Sequence, residues 1–139
     1  VNKLIWGGLQ MSYNLDIREE QGYLHVRAAG TRTLETVAEM AIEILNACID
    51  HKTASVLVDV RELEGRLSTI EAYEIPTSVF PKLRGLGLKR AAVVDRAEFQ
   101  DDRPFFETVA RNQGFNLYIF TDVDKAVAWL QEGIDADSQ

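Results

Sequence analysis

Two histidines, one cysteine and a set of aspartates at expected strand ends are the side chains of this sequence most able to do chemistry. His25 falls inside an expected strand and His51 at an expected helix end, and neither has partner ligands at metal-binding spacing. Structural or surface roles suit both histidines better. Cys48 sits on the apolar stripe of an expected helix, where a thiol behaves as a small core residue rather than a reactive thiolate. A single thiol makes neither an internal disulfide nor a cysteine-based zinc site, which points to a reducing, cytoplasmic setting.

No Gly-x-Ser-x-Gly elbow is present. Gly85-Leu86-Gly87 precedes a strand, whereas a dinucleotide fingerprint needs its glycines after a strand and opening a helix; no Walker sequence occurs either. Asp59, Asp95 and Asp122 lie at or near the ends of expected strands, the edge where open α/β sheets place ligands. A divalent-ion pocket would need several convergent oxygens. Strand termination and helix capping account for the same residues, so no metal and no cofactor is expected. Lys82, Arg84, Lys89 and Arg90 form the one basic cluster; it could meet an anionic head group or an acidic partner, but a solvated face explains it better.

These residues need a scaffold, and hydrophobic periodicity supplies one. Tyr13, Leu15 and Ile17 alternate with Asn14, Asp16 and Arg18, and Tyr23 to Ala29 resumes after Glu20-Gln21-Gly22, which reads as a β-hairpin. Thr33 can cap a helix whose apolar stripe is Leu34, Val37, Ala38, Ala41, Ile42, Leu45, Cys48 and Ile49. Ser55–Val60 and Lys89–Asp95 are short apolar runs of the kind found in parallel strands covered on both faces. Between them a helix starts at Ser68 or Thr69, and Pro76 and Pro81 break it into a kinked or two-piece segment. Asp101 or Asp102 can cap a further helix carrying Phe105, Phe106, Val109 and Ala110, stopped at Gly114. Leu117–Phe120 is the last strand, and Asp122 caps a final helix with Val123, Ala126, Val127, Trp129 and Leu130. The order ββαβαβαβα predicts a single α/β domain, with a mostly parallel sheet of about five strands and about four helices.

Composition bounds the function. The chain has 139 residues, 46% hydrophobic and 27% charged, enough for one domain with a real core. A net charge of -7 argues against nucleic-acid binding, and no apolar run reaches the length of a membrane span. Residues 1–11 are expected as an N-terminal extension outside the domain, 12–133 as the domain, and 134–139 as a polar tail that frays after Glu132.

The element order, with Val56-Leu57-Val58-Asp59-Val60, Ala91-Ala92-Val93-Val94 and Phe120-Thr121-Asp122 leading into Ala126-Val127-Ala128-Trp129-Leu130, resembles the STAS superfamily and its SpoIIAA-like branch. That branch is structurally related to the CRAL-TRIO lipid-transfer domains. The resemblance implies a non-enzymatic, anti-sigma-factor-antagonist-like module that works through a protein partner, with a homodimer also implied. Members of the branch carry a phosphorylated serine in an Asp-Ser-Ser-Gly sequence. Here Ser68 and Thr69 occupy the serine positions, while Leu67 and Ile70 replace the aspartate and glycine. Ser68 as a helix cap explains the same residues, so the phospho-switch is not expected. The lipid-transfer relationship implies the alternative of a small carrier or sensor of an apolar ligand. Its pocket would be lined by Val79, Phe80, Leu83 and Leu86, with Lys82 or Arg84 on the head group.

Overall fold

A computed structural model describes residues 2–3, 13–83, 85–99 and 103–137. The hairpin is formed by β2 (Tyr13–Glu19) and β3 (Leu24–Thr31), paired antiparallel from Tyr13↔Gly30 to Glu19↔Leu24. Helix α1 (Leu34–Asp50) then leads to β4 (Ser55–Glu64). The next crossover is α2 (Thr69–Glu74), a π-helical turn over Ile75–Val79 and α3 (Phe80–Leu83). It is followed by β5 (Arg90–Val94), α4 (Arg103–Asn112), β6 (Leu117–Phe120) and α5 (Val123–Asp137). A two-residue strand β1 (Asn2–Lys3) pairs antiparallel with Asn14 and Tyr13. Part of the segment expected outside the domain therefore lies along the sheet edge.

Strand order follows chain order from β1 to β6, and β3 to β6 run parallel. Successive right-handed crossovers stepping one way across a sheet must place their helices on one face. The first core confirms that arrangement. Val26 and Val56 of the sheet pack with Met40 and Ile44 of α1, Ile75 and Phe80 of the second crossover, and Ala110 of α4. Among the described residues only α5 covers the other face, where Ala126 and Leu130 meet Leu57, Ala92 and Val94. Because side chains alternate along a strand, Leu57 and Val58 serve different cores.

Three local outcomes differ from the sequence reading. The buried residues of α1 are Thr36, Met40, Ile44, Leu45 and Cys48, whereas Ile42 and Ile49 are exposed. The helix phase is fixed at its start, where Thr33 Oγ1 accepts from the Thr36 backbone N–H and Thr36 Oγ1 donates to the Thr31 carbonyl. β4 runs on to Glu64 instead of ending at Val60, because β3 continues to pair with it past a register shift between Arg27 and Ala29. α5 continues past Glu132 to Asp137, and Ile134 packs against the second core. The proposed caps Asp101 and Asp102 lie outside the described residues.

Candidate ligand cavity and docking face

The broken crossover does not close tightly on the sheet. Pro76 lacks an N–H and falls in the first turn of the π segment, while Thr77 Oγ1 donates to the Tyr73 carbonyl at 2.7 Å. The widened turn lets Ile75 and Phe80 both face inward, so the two helical pieces form one bulged path. Such π turns recur at functional sites. Beneath it lies a cavity of about 260 Å³ between the sheet and the helices of the first core. Its floor is built from alternate residues of the parallel strands, Val56, Val58 and Val60 of β4, Ala91 and Val93 of β5, and Leu117 and Ile119 of β6. Met40 and Ile44 of α1, Ile75, and the tilted ring pair Phe80–Phe115 (4.8 Å between ring centroids) supply apolar walls. For scale, an apolar void of about 150 Å³ is enough to hold benzene.

The polar groups lining this cavity are Arg32, Arg66, Asp95 and Arg103. Arg32 follows β3, Arg66 follows β4, Asp95 follows β5 and Arg103 opens α4. All four positions lie at the carboxyl edge of the parallel strands or at the helix that follows it, the side on which open α/β sheets bind ligands. Arg32 donates from Nη1 and Nη2 to the two carboxylate oxygens of Asp95 at 3.0 and 3.1 Å, and from Nη2 to the Val60 carbonyl at 3.2 Å. Both side chains of this pair are sunk, at 13% and 11% exposure. Arg66 and Arg103 are exposed, so this end of the cavity meets solvent.

The expected pocket residues are only partly brought together. Phe80 and Leu83 line the cavity. Val79 packs against the same core from the side, whereas Leu86 and Lys82 are exposed and away from the lining. Arg84 lies outside the described residues. The basic cluster does not act as one patch: Arg90 turns to the opposite face, stacks over the Trp129 ring at 4.7 Å and donates to the Trp129 carbonyl at 2.9 Å. The cavity-lining arginines were not singled out by the sequence, although the carboxyl-edge rule that selected Asp95 also covers Arg32 and Arg66.

The three strand-end aspartates do not converge. Asp59 faces the α5 layer, and its Oδ1 and Oδ2 accept from Arg61 Nε at 2.9 Å and Nη2 at 2.7 Å. Burial pushes its carboxyl up, but the Arg61 hydrogen bonds and charge outweigh that and hold it below the usual range. Asp95 lies on the cavity face, and Asp122 caps α5, its Oδ1 accepting from the Asp124 N–H at 2.7 Å. Among the described residues no group of three His, Cys, Asp or Glu side chains could hold a metal ion. Cys48 is buried, and burial pushes its thiol up to about 11, so it stays protonated near neutral pH. His51 caps the C-terminus of α1 and contacts Glu19 at 3.3 Å.

Ser68 and Thr69 open α2. Ser68 Oγ accepts from the Glu71 N–H at 3.2 Å, and Glu71 Oε1 accepts from the Ser68 N–H at 3.0 Å, a reciprocal capping box. None of the residues in α2 is buried. Ile70 is 74% and Tyr73 51% exposed, and Tyr73 stacks at 5.5 Å on Phe105 of α4, itself 48% exposed. An apolar face therefore stands on the helix side beside Ser68, and Phe105 belongs to it rather than to the buried stripe expected for α4.

No protein-family model matches the sequence, and no curated protein matches it. Solved structures do. An anti-sigma factor antagonist from Mycobacterium paratuberculosis superposes with a TM-score of 0.54 at 18% identity, covering 86% of this chain and 94% of that one. An uncharacterised protein with a SpoIIAA-like fold from Shewanella loihica gives 0.53 at 24% identity, covering 85% and 93%. The closing Phe120-Thr121-Asp122 and Trp129-Leu130 residues, which carried the resemblance in sequence, prove to be packing contacts: Trp129 lies 5.9 Å from Phe120 and 5.1 Å from Tyr118. At these identities the likeness establishes architecture, and the architecture is that of the SpoIIAA-like domains.

Proposed function

We propose that this chain is a non-enzymatic regulatory module that acts by docking a cytoplasmic protein partner through the outer face of α2 and the start of α4. The exposed Ile70, Tyr73 and Phe105 face carries the reading, since large apolar side chains of two neighbouring helices are left uncovered by the described residues. The anti-sigma factor antagonist among the structural neighbours supports a regulatory role for such a surface. The acids at the strand ends are engaged by arginines or by helix capping, and the thiol is buried, which supports a role without catalysis. No helix among the described residues is long and apolar enough to cross a membrane. The Ser68 hydroxyl already caps α2, so docking does not require a phosphate there.

The test places a photo-crosslinking benzophenone side chain at Tyr73 and, as a control, at Lys125 on α5, in the cells that make the protein. The expected result is a discrete adduct from position 73 only, abolished by Ile70→Glu in a variant with unchanged circular dichroism. An adduct of twice the chain mass would identify a second copy as the occupant of the docking face. Identical adducts from both positions, or none from position 73, would overturn the reading.

A further inference from the structure

A second uncovered apolar surface lies on α1, a different helix from those of the docking face. Ile42 and Ile49 are 48% and 46% exposed. They stand two turns apart, about 10 Å along the helix, and so share one outward stripe. We infer that this stripe is a self-association surface, on which α1 packs antiparallel against α1 of a second copy about a two-fold axis. Three observations select a second copy in that orientation.

The first is spacing. At alternating steps of three and four residues the stripe runs Glu35, Ala38, Ile42, Leu45, Ile49 and Lys52. Those steps are the ones a helix uses to pack along another helix. Met40, Ile44 and Cys48 occupy the opposite side of α1 and are buried in the first core, so the stripe points away from the domain. The second is size. Across a two-fold axis an antiparallel seam pairs its residues end for end. Ala38 then faces the partner's Ile49, and Ile42 lies over the turn that carries the partner's Leu45, itself buried. Each half-exposed isoleucine meets a small or recessed residue, which lets the two helices approach closely.

The third is charge. The same register sets Glu35, in the first turn, opposite the partner's Lys52, just past the last turn, and the axis repeats the pair at the other end. Both side chains are exposed, and neither forms an ion pair within its own chain among the described residues. A parallel pair would instead oppose Glu35 to glutamate and Lys52 to lysine. The antiparallel pair also sets the positive end of each helix dipole beside the negative end of the other. Glu43 stays clear of the seam, since it turns aside to accept from the Tyr13 hydroxyl at 2.6 Å. A 17-residue helix is about 25 Å long, a small contact beside the roughly 1,200–2,000 Å² of stable complexes. The dimer is therefore expected in the micromolar range.

Sedimentation equilibrium of the intact chain over a dilution series tests the inference, and a monomer–dimer equilibrium is the expected result. Ile42→Glu should weaken association about tenfold or more, with unchanged circular dichroism. Glu35→Lys and Lys52→Glu should each weaken it about threefold, and the two together should restore it. Orientation is read from cysteine pairs. Mixed copies carrying Ala38→Cys and Ile49→Cys should oxidise to a linked dimer that neither variant forms alone. The buried Cys48 stays out of that reaction. A monomer at every concentration, or a dimer indifferent to Ile42→Glu, would overturn the surface. Linkage of Ala38→Cys copies to one another, or a double charge reversal that fails to restore association, would overturn the antiparallel register.

Discussion

At the scale of single residues, the charged side chains of the two faces do different work. The Asp59–Arg61 pair spans only one intervening residue, and Asp59 Oδ1 also accepts from the Arg61 N–H at 3.1 Å. Arg61 is nearly half-exposed, so water weakens the pair and its contribution belongs at the low end for charged hydrogen bonds. Asp59→Asn is expected to cost about 1–2 kcal/mol at pH 7 by urea denaturation. A carboxyl held below its ordinary range in the folded state stabilises above the unfolded value of about 3.9, and that stabilisation is lost as pH falls through the folded one. The wild-type advantage should therefore shrink as pH falls below about 3.9; an advantage that stays undiminished in acid would contradict the assignment. The caps at Thr33, Ser68 and Asp122 were legible in the sequence because a cap depends on residues two or three positions away. The Arg32–Asp95 pair was not, since its members lie 63 residues apart and just past the ends of strands that are not even neighbours.

Among the elements, the edge strand β6 is the most exposed to unwanted pairing. α4 protects it: Glu107 is buried, and its Oε2 accepts from the Ile119 N–H at 2.7 Å, occupying a backbone donor that another strand would otherwise seek. Arg111 adds a second contact, lying over the Tyr118 ring at 4.5 Å and donating to its hydroxyl. Glu107→Ala should cost about 1–3 kcal/mol, because a part-buried donor loses its charged acceptor. Glu107→Gln keeps an acceptor and should lose clearly less. Thermal unfolding of both variants decides it, and equal losses would mean that the carboxylate acts through charge alone. Glutamate in the middle of an amphipathic helix reads as solvent-facing in sequence, so this contact was invisible there. The break at Pro76 was legible, whereas its resolution as a π turn depends on the sheet beneath, which no local pattern records.

For the whole molecule, consecutive strand order and a single crossover hand place three helical connections on one face and one helix on the other. Fold class and nearly every element followed from hydrophobic period and turn chemistry, because both are local. The cavity did not, because a gap is a property of how layers fail to meet. Phe80 and Leu83 were found since they flank the break in the chain, and the arginines were missed since the sheet alone gathers them.

Gly22 turns between β2 and β3 with a φ of 91°, and a Cβ there would stand 2.9 Å from Ile134 Cδ1. The bend of the hairpin is thus covered by the far part of α5, a contact between the hairpin and the last described helix. During synthesis this clasp can close only after the sheet and the helices before α5 have emerged, so the second core is completed late and the hairpin must wait for it. Contacts formed after the rate-limiting step influence escape from the native state more than arrival at it. Ile134→Ala should accordingly leave the refolding rate in stopped-flow within about twofold of wild type and speed unfolding by about tenfold. A slowed refolding limb would instead make the clasp part of the nucleus. In the first case the final helix sets the lifetime of a fold that it does little to start.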